Sequence, residues 1–204
     1  MDPEYNRLLA VLKHPDSAVR AAFRVGSRVY GTASPESDHD YVVVLANPGQ
    51  KQDLLFGDNI NVVLHGVKTF EAALADGGVF AFEAIFAPKE HCLKAPRPPF
   101  SYKLDKKKLC ESAVARSTSD YEKAKKRFED EPGPSRKKLF HSLRVPLFAL
   151  ELLRTSKLTD FGAANGHFRD ILAEESLEFA PYEAKYGPLR AALCEEIQKL
   201  APRR

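Results

Sequence analysis

Two aspartates separated by one residue, Asp38 and Asp40, stand where a polar loop runs into the apolar, β-branched stretch Tyr41-Val42-Val43-Val44. On an extended strand alternate side chains share a face, so the two carboxylates point one way while His39 and Tyr41 point the other. Two carboxylates so close resist ionising together unless a cation stands between them, and hard oxygen donors of this kind suit Mg²⁺. Upstream, Gly26 and Ser27 follow the apolar stretch Ala21-Ala22-Phe23 and offer backbone N–H groups beside a small hydroxyl. Glycine has no Cβ, so such a turn admits a phosphate close to the main chain. Taken singly these parts are common: a Gly-Ser turn is frequent, and an Asp-x-Asp pair also suits a solvated strand end.

In this order and spacing they are more specific. The stretch Gly26 to Val44, GSRVYGTASPESDHDYVVV, resembles the signature of the DNA polymerase β-like nucleotidyltransferase superfamily, a Gly-Ser turn followed by Asp-x-Asp at the start of a strand. Its fuller form, GSRVYGT…SDHDY, resembles the branch of minimal nucleotidyltransferases. The resemblance implies Mg²⁺, or Mn²⁺ in its place, held by Asp38 and Asp40. It also implies a nucleoside triphosphate such as ATP held at Gly26, Ser27 and Arg28, and transfer of the nucleoside monophosphate to a hydroxyl with release of pyrophosphate. The acceptor, whether an RNA end, a protein or a small molecule, is not written in the sequence.

One departure from that pattern matters. Members of the superfamily place a third carboxylate on the strand beside the Asp-x-Asp strand; here the matching strand is Ile60 to His65, and the aligned position is Asn61, an amide that cannot act as a base. Asp58, just before that strand, is one substitute. Glu83 is another, because it interrupts the apolar run Val79 to Phe86 and a buried glutamate there needs a partner; the same residue also suits the exposed side of an amphipathic helix. The alternative function is therefore a nucleotide- or RNA-binding module of the same fold with impaired turnover.

The elements that must position these residues are legible in outline. An amphipathic helix over Pro3 to Lys13 carries Leu8, Leu9 and Leu12 on one side. A short helix over Ser17 to Phe23, capped by Asp16 or Ser17, leads into the Gly-Ser turn. The acidic strand over Asp40 to Leu45 stops at Asn47-Pro48-Gly49, and Ile60 to His65 is its neighbour. A helix over Val67 to Ala75, a break at Gly77-Gly78 and a helix through Phe80 to Phe86 follow, with Phe82, Ile85 and Phe86 facing a core. The proline-rich Ala95 to Pro99 reads as a linker. Beyond it everything is helical: a long charged helix over Asp105 to Glu131, a stop at Pro132-Gly133-Pro134, a helix capped by Ser135 and disturbed at Pro146, and a last helix over Pro188 to Leu200. The expected fold class is α+β: a small mixed sheet with flanking helices in residues 1–95, then an α-helical domain in residues 101–204.

The helical half resembles the same group through KKLFHSLRVPLFALELLRTSKL, in which Lys138, His141 and Arg144 recur at three-residue spacing and share one broad helix face. That face suits phosphate oxygens, with His141 titrating near neutrality; it equally suits a solvated surface with a histidine packed between helices. Cations concentrate between Lys103 and Arg144, where Glu111, Asp120, Glu122 and Glu129 also fall, so the segment reads either as balanced helix faces or as a basic wall towards polyphosphate or RNA.

With 204 residues, 44% hydrophobic and 29% charged, the chain has the composition of a soluble globular protein, and its net charge of +3 is too small to imply nucleic acid by itself. No apolar run reaches the length of a membrane span, and the charged start MDPEYNRLLAVLKHPD lacks a signal peptide's apolar core. The expectation is an intracellular protein, cytoplasmic or nuclear, without a membrane partner. Cys92, Cys110 and Cys194 lie far apart and form no CxxC pair, so reduced thiols are expected.

Overall fold

The first element is an amphipathic helix, α1 (Pro3–Leu12), whose Tyr5, Leu8 and Leu12 are buried on one side. Asp2 caps it by accepting from the N–H groups of Glu4 and Tyr5 at 2.7 and 3.4 Å, and Pro3 sits where no backbone donor is needed. This computed structural model describes residues 2–47, 49, 51–57 and 59–201; Pro48 and Asp58 lie outside them.

The helix expected over Ser17 to Phe23 is instead a single 3₁₀ turn, Asp16–Ala18, and a strand, β1 (Val19–Val25). Ala21-Ala22 favours a helix by propensity, but β1 has a strand on either side, and burying Ala21, Ala22 and Phe23 in that ladder outweighs a weak local preference. The remaining strands are β2 (His39–Leu45), β3 (Gln52–Phe56), β4 (Ile60–Gly66) and β5 (Cys92–Lys94), in the spatial order β3-β4-β2-β1-β5. Both edge strands escaped the sequence: β3 is mostly exposed and β5 is three residues long, so neither carries an alternating apolar pattern.

The central strand β2 runs antiparallel to β1 and parallel to β4, with Asp40 opposite Val25 on one side and Asn61 on the other. Tyr41, Val43 and Leu45 of β2 and Ile60, Val62 and Leu64 of β4 form one core with Tyr5, Leu8 and Leu12. Side-chain alternation therefore turns Asp40 and Asn61 to the opposite face. Helices α3 (Val67–Ala75) and α4 (Val79–Ile85) follow β4, and Phe70 and Phe82 are fully buried.

Residues Met1–Ala75 with Phe80–Lys103 form one compact unit, and Asp76–Val79 with Leu104–Arg204 form the other. Phe100 is buried against Phe70 at 4.8 Å between ring centroids, so the chain just past the proline-rich stretch packs into the first unit. In the second unit Gly77, at φ +72°, lies so close to α5 (Lys106–Arg127) that a Cβ would come within 2.4 Å of the Leu109 backbone nitrogen.

Helix α5 ends at Arg127, short of Glu131, after a start capped by Asp105. The next helix, α6 (Pro132–Thr155), begins on the prolines expected to separate the two, so Ser135 lies inside its first turns and caps nothing. Pro132 and Pro134 occupy first-turn positions whose N–H groups have no helical partner, which is why the helix tolerates them. α6 runs on through Pro146. α7 (Asn165–Ala173) has no counterpart among the expected elements, and α8 (Ala180–Leu200) starts eight residues before Pro188 and passes through it. Their core is aromatic: Phe128 meets Tyr182 at 4.7 Å, and Arg136 lies over both rings while donating to the Tyr182 hydroxyl at 2.8 Å. All three cysteines are free, and among the described residues no helix is long and apolar enough to cross a membrane.

His65, on the Asn61 side of β4, is 2% exposed, with Phe70 edge-on and Phe80 stacked, each at 5.6 Å; neither ring nitrogen has a hydrogen-bond partner among the described residues. Burial, aided by Lys51, holds its pKa below the usual histidine value. The unfolded chain therefore takes up this proton first as the pH falls through about 6.5, and stability is lost below that pH at no more than about 1.4 kcal/mol per pH unit for this group. His65→Phe should remove this part of the acid sensitivity, so that the gap in thermal midpoint between variant and wild type widens in favour of the variant from pH 7.5 to pH 5.

Candidate active site

The register of three strands assembles the site. Val25, the last residue of β1, lies beside Asp40, so the turn that leaves β1 must pass over the Asp40 carboxylate. Gly26 makes that passage with φ +80° and ψ −159°, a conformation open essentially to glycine alone, and a Cβ there would stand 2.3 Å from Asp40 Oδ2. Ser27 opens the short helix α2 (Ser27–Tyr30), in which the N–H groups of Val29 and Tyr30 both donate to the Gly26 carbonyl, at 2.9 and 3.2 Å.

On the other side of β2 the parallel ladder sets Asn61 against Asp40. The Asn61 amide Nδ2 donates to Asp40 Oδ1 at 3.0 Å and to Asp38 Oδ2 at 3.1 Å, so one neutral group ties both carboxylates together. Asp38 precedes the first residue of β2, one position outside the expected shared strand face, and reaches the same amide from the loop. It is exposed, whereas Asp40 and Asn61 are half-buried. Arg28 holds the backbone around the pair: its guanidinium donates to the carbonyls of Ser37 at 2.7 Å and Asp38 at 3.3 Å, strapping the loop that presents Asp38.

Glu83 is 5% exposed in α4 and accepts a hydrogen bond from the Tyr30 hydroxyl, so it is buried with a partner and is not on a solvated helix face. Tyr30 belongs to the same GSRVYGT stretch as the turn, a link the sequence held but did not disclose. On the opposite face of β2, Tyr41 donates to Glu4 Oε1 at 2.6 Å, Arg24 pairs with the same carboxylate, and burial with Arg28, Arg7 and Arg24 nearby lowers the pKa of His39. His39 and Tyr41 therefore belong to the structural side of the strand.

The donor set suits a hard cation: two carboxylates converge, and a half-turn of the Asn61 amide about its last bond would replace the N–H₂ by a carbonyl oxygen. No group of three or more histidine, cysteine, aspartate or glutamate side chains arranged for a metal occurs among the described residues. Mg²⁺ commonly uses one or two carboxylates with water and substrate phosphates completing its shell, so a pair plus an amide lies within its range.

Lys138, His141 and Arg144 lie in the helical unit. Arg144 is 6% exposed, donates to His141 Nδ1 through Nε at 3.3 Å and lies over Phe148, while Lys138 pairs with the buried Asp120 at 3.6 Å. Arg144 is thus not part of a solvated face. Burial and the cations Arg144, Lys138, Arg116 and Lys137 push the His141 pKa well below 6.5, which corrects the expectation that it titrates near neutrality: the ring is neutral at physiological pH.

Gly26 offers a direct check on this geometry. Gly26→Ala should lower stability by about 1–3 kcal/mol from backbone strain alone, and more where the Asp40 carboxylate must move. A thermal or urea melt reads this; a Gly26→Ala variant as stable as wild type would mean that the turn does not press on Asp40. No protein-family model matches the chain, and no curated protein matches it.

Proposed function

We propose that the chain is a metal-dependent nucleotidyltransferase, moving a nucleoside monophosphate from a nucleoside triphosphate to a hydroxyl on an RNA end, a protein or a small molecule. The observation that carries the reading is the meeting of Asp38, Asp40 and Asn61 beneath the Gly26 turn. Asp38 and Asp40 would hold Mg²⁺ or Mn²⁺, which when bound supplies positive charge to the phosphate oxygens. The Gly26-Ser27 turn gives a phosphate access to the main chain with no side chain in the way. Arg28 keeps Asp38 in place through the two loop carbonyls. Glu83, held by Tyr30, is the nearest candidate in sequence pattern for a proton-accepting carboxylate. In the helical unit Lys138, His141 and Arg144 remain proposed nucleotide contacts, with His141 acting as a neutral hydrogen-bonding ring.

A second reading, a nucleotide- or RNA-binding module without turnover, is favoured by Asn61: an amide stands where a third carboxylate would complete the site. Incubation with α-labelled ATP, CTP, GTP and UTP, Mg²⁺ or Mn²⁺, and total RNA or cell lysate separates the two. The first reading expects label on RNA, protein or a small product, lost in Asp38→Asn and in Asp40→Asn while both variants keep their circular dichroism; transfer that survives in the double variant would overturn it. Asn61→Asp sharpens the comparison, because three carboxylates repel one another without a cation. That variant should melt below wild type in EDTA and gain more thermal stability than wild type on addition of Mg²⁺.

A further inference from the structure

The helical unit contains a cleft of about 360 Å³ between the last turns of α5 and the first turns of α6, lined by Lys123, Arg127, Glu131, Pro134, Ser135 and Lys138. Its size is within the range of small-ligand sites. Lys123 and Arg127 are one helical turn apart on α5, and Ser135 and Lys138 are likewise neighbours on α6, so helix periodicity aims all four into the same space.

Their donors are largely unspent. Among the described residues Lys123 has neither an ion pair nor a hydrogen bond, and Arg127 has only Glu131 at 3.8 Å. Lys138 faces Asp120 at 3.6 Å, beyond hydrogen-bond reach, and Asp120 Oδ1 has no hydrogen bond among the described residues. Asp120 is 1% exposed and takes its close contact, 2.7 Å, from Arg116. It therefore anchors the Lys138 ammonium electrostatically without using its N–H groups. Ser135 is 2% exposed; its N–H donates to the Glu131 carbonyl, and its hydroxyl has no partner among the described residues. A serine hydroxyl with no partner among the described residues and three cations, set against Glu131 in the cleft and Asp120 behind Lys138, form a site for an oxyanion carrying two negative charges.

We infer that this cleft binds a phosphate monoester or inorganic phosphate, the dianion taking Lys123, Arg127 and Lys138 around its oxygens and the Ser135 hydroxyl as a fourth donor. A phosphodiester, with one charge and two blocked oxygens, matches the site less well. The cleft shares only Lys138 with the proposed nucleotide contacts and uses neither aspartate of the candidate active site.

Calorimetry on the full chain, in EDTA and at low salt, tests this with inorganic phosphate, adenosine 5′-monophosphate and a dinucleotide without a terminal phosphate. The two ligands that present a phosphate dianion should bind, and the dinucleotide should bind at least about tenfold more weakly. A tighter monophosphate than inorganic phosphate identifies a nucleotide-bearing ligand; equal affinities identify free phosphate, and either supports the site. Lys123→Gln and Arg127→Gln, both on the surface, should each weaken binding about tenfold, and Ser135→Ala about threefold. Lys126→Gln, a cation of α5 outside the cleft, should leave it unchanged, as should Asp38→Asn, which separates this site from the candidate active site. Wild-type affinity in Lys123→Gln and Arg127→Gln, an equal loss in Lys126→Gln, or a dinucleotide that binds as tightly as the monophosphate would overturn the assignment.

Discussion

Everything at the candidate active site depends on one shared hydrogen-bond donor. The Asn61 amide bonds Asp38 and Asp40 together, and it does so because β4 runs parallel to β2 with Asn61 opposite Asp40. One amide donor shared by two carboxylates opposes the repulsion between them. A slip of one residue between the strands would send Asn61 to the α1 side and leave the carboxylates without a common partner. The apolar set Ile60, Val62 and Leu64 forbids that slip, since it too would change faces.

The two faces of the sheet divide the work. On the α1 side Glu4 takes the Tyr41 hydroxyl and the Arg24 guanidinium, a polar layer beside the apolar core. On the other side Asp40, Asn61 and His65 follow the same alternation, yet meet different surroundings: carboxylates and an amide at the start of the strands, phenylalanine rings at the end of β4. The polar end is kept open by a glycine, because any side chain at position 26 would occupy the space of the Asp40 carboxylate. The apolar end is closed so completely that a histidine is buried without a hydrogen bond to any described residue.

In the helical unit the organising contact is between aromatic rings and arginine. Arg136 spans Phe128 and Tyr182, and Arg144 covers Phe148 while bonding His141, so both guanidiniums pack against ring faces. Stacked on rings, a guanidinium buries much of its surface against the ring faces. Lys123 and Lys138, at the α5–α6 turn, line the cleft there with Arg127.

By itself the sequence determined much of the scaffold and the positions of the candidate-site residues: the Asp38/Asp40 pair, the Gly-Ser turn, the strand beginning at Ile60 with Asn61 beside Asp40, the helix over Val67 to Ala75, and an α+β unit followed by helices. These are local or strictly periodic features, and hydrophobic alternation records them directly. The tertiary structure decided what pairing and burial alone can decide. It made Val19–Val25 a strand, because two neighbouring strands supply hydrogen bonds that an alanine pair does not announce. It carried α6 and α8 through Pro146 and Pro188, where packing of the rest of each helix outweighs one lost backbone bond. It buried Glu83 on Tyr30 and Arg144 on Phe148, and held His141 neutral, because a residue's charge state follows from which groups surround it in space, and a single chain does not spell that out.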